Sequence, residues 1–168
     1  GLVAAQGLTI EVKKGVRNPT PIAVVPFAWS GAGFNGDLIA EIVSDDLYRS
    51  GQFSPIDKKN MLSFPHTEAE VVYRDWRMSG AEYLVTGQLA PRGDGGFTAT
   101  FWLCNINGQK TMFSKTIQGG PNNVRDIAHY ISDEVYEALT GLRGVFQTRI
   151  IYVGGEVNNV KLYMADQD

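Results

Sequence analysis

Cysteine is nearly missing from this chain. Cys104 stands alone, so no intramolecular disulfide forms and no cysteine-rich metal cluster is available. Histidine is almost as scarce. His66 and His129 lie far apart in the sequence, and no His/Cys/Asp grouping has zinc-ligand spacing. A G-x-S-x-G elbow, a P-loop and a paired-histidine helix are all absent. These absences disfavour an enzyme, and no catalytic residue, metal or cofactor is assigned. No apolar run approaches the ~20 residues needed to span a membrane as a helix. A net charge of −3 supplies no excess of base for general nucleic-acid or anionic-membrane binding.

What is present is globular. With 168 residues, 43% hydrophobic and 20% charged, the chain is one ordinary domain, or one domain plus a fragment. Such a length buries roughly two-thirds of its unfolded surface and needs no staple.

The clearest element lies between Pro121 and Gly144. Val124, Ile127, Ala128, Ile131, Val135, Ala138 and Leu139 recur at three-and-four spacing and form one apolar stripe. Arg125, Asp126, Ser132, Asp133, Glu134 and Glu137 mostly take the opposite side. Asn122 or Asn123 is placed to cap the start, and Gly141 to end the helix. A helix with one such stripe presses onto a sheet.

Taken in order, Leu8, Ile10 and Val12 alternate with Thr9, Glu11 and Lys13, a short strand-like run before the breakers Gly15, Asn18, Pro19 and Pro21. Two readings stand: an untied terminus, or a recognition strand that adds to another protein's sheet edge. Gly1–Gln6 reads as the tail of a signal peptide or as expression-tag residue, and neither belongs to the fold. Ile22 to Phe27 is a continuous apolar run, as in a strand covered on both faces. A helix is expected from Asp37, as its cap, to Ser50, with Leu38, Ile39, Ile42, Val43 and Leu47 inward. Phe53–Asp57 is an edge or bulged strand because it contains Pro55. Thr67 and Glu70 suggest a capping box opening a helix to Met78 that turns Val72 and Trp76 to the core. Strands follow at 81–90, 97–105 and 110–118, with Asn107-Gly108 as a hairpin turn. The expected fold is α/β (α+β): a mixed sheet of about five strands, order βαβαβββα, carrying two main helices and a shorter one. Beyond Gly144, residues 148–153 and 160–166 read as a further hairpin. It is taken as the opening of a second domain, with added strands of the same sheet as the alternative.

Three features of the sequence bear on chemistry. Gly31, Gly33 and Gly36 spell G-x-G-x-x-G between a strand and a helix, with Asp57 about twenty residues on, the outline of a dinucleotide site. Against it, the glycines begin beyond the strand's end, Asp37 would repel a pyrophosphate, and Trp29 and Phe34 are bulky where backbone should approach. The acidic pairs Asp45-Asp46 and Asp133-Glu134 diverge by about 100° on a helix and read as solvated faces. Cys104, among Phe101, Trp102 and Leu103, reads as a small buried hydrophobe.

The closing helix also carries a resemblance. Ala128-His129, Ser132-Asp133, Val135-Tyr136-Glu137 and Leu139-Thr140-Gly141 resemble the helix that ends the N-terminal domain of the TolB family, of the Tol–Pal envelope system. Further matching segments are Pro21-Ile22-Ala23-Val24-Val25-Pro26-Phe27, Asp46-Leu47-x-x-Ser50-Gly51-x-Phe53, Gly87-Gln88 and Thr148-Arg149-Ile150-x-Tyr152-Val153. The resemblance implies a non-enzymatic periplasmic interaction module serving outer-membrane integrity and cell division. It divides the chain into a partner-binding segment (1–20), an α/β domain (21–144), and a linker with the first strands of a truncated six-bladed β-propeller (145–168). It implies that Leu8, Thr9, Ile10, Glu11 and Val12 bind the C-terminal domain of TolA. It also implies that the propeller, mostly missing here, binds the lipoprotein Pal. A nucleotide-binding α/β domain using Gly31–Gly36 is the alternative.

Overall fold

The computed structural model describes residues 18–31 and 36–146, together with the backbone of strands at 150–156 and 159–164. Its centre is a mixed sheet. Strand β1 (Thr20–Val24) lies parallel to β3 (Phe53–Pro55) on one side and to β4 (Tyr83–Pro91) on the other. Strand β4 continues antiparallel into β5 (Phe97–Asn105), and β5 into β6 (Lys110–Gly119). The mixed sheet and the strand-helix order agree with the sequence reading, and β3, with its proline, takes the edge.

Alternation along β1 builds two cores. Ile22 and Val24 face α1 (Asp37–Arg49) and α3 (Val124–Thr140), joining Ile39, Val43, Leu47, Ile127 and Ile131. Ala23 and Val25 face the other way, toward Val71, Trp76, Leu84 and Ile106 under α2 (Tyr73–Met78). Helices on both faces explain why β1 is apolar without a break.

Four details depart from expectation. The chain does not leave the sheet at Phe27. It returns as a two-residue strand, β2 (Ala28–Trp29), again parallel to β4. Val24 pairs Val85 and Ala28 pairs Gln88, so one extra residue sits on this side, a bulge at Pro26, which has no N–H to give the ladder. The second helix is shorter than Thr67–Met78. A 3₁₀ turn spans Glu68–Glu70, Val71 is extended, and α2 starts at Tyr73. Glu70 accepts from the His66 N–H at 2.7 Å rather than closing a capping box on Thr67. The break turns Val71 inward and leaves Val72 exposed. The β5–β6 turn holds four residues, 106–109, and the left-handed conformation falls on Gln109 (φ 54°) rather than Gly108. Asn123 stands at the N-cap of α3 and Gly141 ends that helix, as expected, but neither Asp37 nor Asn123 gives the expected side-chain cap. Gly36 precedes α1, with Asp37 inside its first turn, and Asn123 spends its Oδ1 on the Gly120 N–H at 2.8 Å.

The expected hairpin after Gly144 forms as β7 (Ile150–Glu156) and β8 (Asn159–Met164), antiparallel to each other. Strand β8 lies parallel to β6 through Thr116, Ile117 and Gln118.

Candidate functional site

The segment predicted to bind a partner, Leu8, Thr9, Ile10, Glu11 and Val12, lies outside the described residues, as do Ala32–Asn35 of the glycine loop. At the start of β1, Thr20 donates its N–H to the Gln52 carbonyl at 2.9 Å, which fixes that end of the strand beside edge strand β3.

The two described glycines of the G-x-G-x-x-G pattern serve the backbone. Gly36 bridges to Phe27, and a Cβ on it would sit 1.7 Å from the Phe27 carbonyl oxygen. Gly31 lies under the Trp29 indole. Asp37 then opens α1 and pairs with Lys58 Nζ at 3.1 Å. The crevice at the carboxyl ends of β1 and β3, where open α/β sheets usually take ligands, is therefore acidic. It holds about 460 Å³ between α1 and residues 55–61. Among the described residues Asp37, Glu41, Asp45 and Asp57 line it, against Lys58, and Asp57 also has Lys59 Nζ at 3.9 Å. A pyrophosphate would meet that field at a cost, which counts against the dinucleotide reading.

The reading of both acidic pairs as solvated faces needs correcting. Asp45 is exposed, but Asp46 is 1% exposed. Its Oδ2 meets His129 Nδ1 at 2.6 Å, and its Oδ1 accepts from Arg49 Nη2 at 2.8 Å. A carboxylate taken from water must be paired, and here the pair ties α1 to α3. Asp133 is also buried, and its Oδ1 accepts from the Phe146 N–H at 2.8 Å. Ser132 is buried too, donating back to the Ala128 carbonyl at 3.1 Å. Residues 141–146 double back along α3 and cover this flank. Tyr136 meets Phe146 edge-on at 5.6 Å and Phe53 at 6.4 Å. Glu134 pairs with Lys115 of β6. No local pattern separates Asp46 from Asp45; a polar residue one step off the exposed face is the only hint.

Cys104 is fully buried, as expected. Burial pushes its thiol above the ordinary value, against smaller lowering by hydrogen bonds from Thr111 and Tyr73. It is held as a neutral thiol, the opposite of an activated nucleophile. Among the described residues no cluster of three or more His, Cys, Asp or Glu is arranged to hold a metal. No helix among them is long and apolar enough to cross a membrane.

Comparison with known proteins follows this geometry. The family model described as "TolB amino-terminal domain" matches residues 8–112. The chain is 42% identical over 171 residues to the Tol-Pal system protein TolB of Pseudomonas fluorescens SBW25, covering 100% of this chain and 39% of that protein. It is 45% identical over 166 residues to the TolB of Marinomonas sp. MWYL1, covering 96% and 38%. The crystal structure of TolB from Acinetobacter baumannii superposes with a TM-score of 0.67 at 32% identity, covering 81% of this chain and 32% of that one. The chain thus spans about two-fifths of the length of these curated relatives.

Proposed function

Because this chain belongs to the family of TolB amino-terminal domains, we propose that it is a non-enzymatic, periplasmic interaction module of the Tol–Pal system whose N-terminal segment binds TolA. The supporting observation is that the family match begins at Leu8, the first residue of the alternating run Leu8-Thr9-Ile10-Glu11-Val12. An extended segment of this pattern supplies main-chain hydrogen bonds to a partner's edge strand and sets Leu8, Ile10 and Val12 into pockets. Ordering a free segment consumes about 2–5 kcal/mol of the gross interaction energy. The affinity is accordingly modest, which suits a link that is made and released. Residues 145–168 are read as the linker and opening strands of a propeller that, in the longer protein, contacts Pal.

The test is a calorimetric titration of the C-terminal domain of TolA into the chain with and without residues 1–14. Binding is expected only with the segment present. Equal binding by the shortened chain would defeat the assignment.

A further inference from the structure

The acidic crevice described above is a groove with a direction. Asp37, Glu41 and Asp45 stand at i, i+4 and i+8 along α1, and all three line it. On a helix these positions rise about 6 Å per step. Like charges at i, i+4 weaken a helix, so this stripe is not there for the helix's own sake. Asp37 has Lys58, whereas Glu41 and Asp45 are exposed and have no ion-pair partner among the described residues. Between the carboxylates and residues 55–61 the groove also presents apolar residues, Val24, Pro26, Ala40, Pro55, Ile56 and Met61. Asp57 adds a fourth carboxylate at the far wall.

The geometry points to a docking groove for an extended, basic segment of a partner protein, with Lys or Arg at alternate positions and apolar residues between them. The spacing selects this occupant. An extended chain advances about 6.6 Å every two residues, which matches the step between successive carboxylates on α1. Alternate side chains point to opposite sides, so basic residues on the α1 side place the intervening apolar ones against Pro55, Ile56 and Met61. Phosphorylated or acidic ligands meet repulsion from Glu41 and Asp45, whereas Asp37 and Asp57 are balanced by Lys58 and Lys59. None of the residues that line this surface belongs to the leader, and the groove adds a second contact to the module.

The test uses the full chain, isotope-labelled, and a five-residue probe, acetyl-Lys-Leu-Lys-Leu-Lys-amide, against the scrambled Lys-Lys-Leu-Leu-Lys. The alternating peptide is expected to shift the amide resonances of Glu41, Ser44, Ile56 and Met61, and to bind at least about tenfold more tightly than the scramble, since the central lysine and one leucine exchange faces and fall out of register. The double variant Glu41→Gln with Asp45→Asn should weaken binding at least about tenfold while its melting temperature holds or rises, because like-charge repulsion along α1 is relieved. Deleting residues 1–14 should leave peptide binding unchanged, so the leader assignment and this one fail separately. Absence of shifts at millimolar peptide, equal binding of the scramble, equal binding by the double variant, dependence on residues 1–14, or shifts caused by calcium ion but not by peptide would each overturn the proposal.

Discussion

Asp46 is the residue on which the helical layer turns. It sits in the interior with both oxygens engaged, by His129 from α3 and by Arg49 from its own helix. Replacing it with Ala removes hydrogen bonds to charged groups, worth about 1.5–3 kcal/mol, and leaves the imidazole without its acceptor. The variant is expected to lose that amount in urea unfolding, and Asp46→Asn to lose less because it keeps an acceptor for His129. No change in the Ala variant would show that the pair is idle. Cys104 yields a pH prediction. Its folded pKa is raised, first by burial, above an ordinary value of 9.0, and burial raises Tyr73 in the same direction. A neutral acid preferred by the fold stabilises it fully below the unfolded pKa. That contribution is lost as pH rises from about 9 through the folded value. Stability should fall between pH 8 and pH 10, and Cys104→Ala should flatten part of that slope; an unchanged slope would refute the assignment to the thiol. The sequence showed Cys104 correctly, since its neighbours Phe101, Trp102 and Leu103 already mark a core strand. Asp46 was misread, because adjacent acids on a helix look alike until the second helix is in place.

At the scale of elements, α3 is more thoroughly covered than a helix with one apolar stripe. Sheet residues take the stripe, α1 takes the flank of His129, and residues 141–146 return over Asp133 and Tyr136. Gly141 makes that return possible by taking φ 75° at the end of the helix, a conformation that costs glycine little. The hairpin β7–β8 has a different standing. It joins the sheet through three pairs on β6, while the two cores under α1, α3 and α2 are each closed by residues of positions 22–139. A chain ending at Phe146 is therefore expected to unfold in one cooperative transition, with the near-ultraviolet circular dichroism of the longer chain. Loss of that transition would mean that the hairpin is integral to this domain rather than the opening of another. The elements themselves were legible wherever a period ran long, as in α1, α3 and the three long strands. They were misjudged where the period was interrupted, as at Val71-Val72 and at Pro26, where a break in geometry leaves composition unchanged.

At the scale of the whole molecule, the body is a three-layer scaffold with two candidate contact regions, the leader and the groove. Strand β1 starts beside β3 at Thr20. The acidic groove opens at the other end of β1, near Val24 and Pro26. Removing residues 1–14 is expected to abolish TolA binding without lowering the melting temperature, because both cores pack the sheet and helices against each other.

The residue pattern by itself determined the helices, the long strands, the edge position of the proline-bearing strand and the family, because each rests on residues near one another in the chain or on their order along it. Only the tertiary structure decided that Asp46 finds His129, 83 residues away, that Asp133 holds the Phe146 amide, and that three carboxylates of α1 face one groove with Asp57. Those facts depend on which faces meet once the sheet is assembled. Long-range pairing of polar groups leaves no periodic trace, since a buried and an exposed carboxylate are the same residue until a partner arrives.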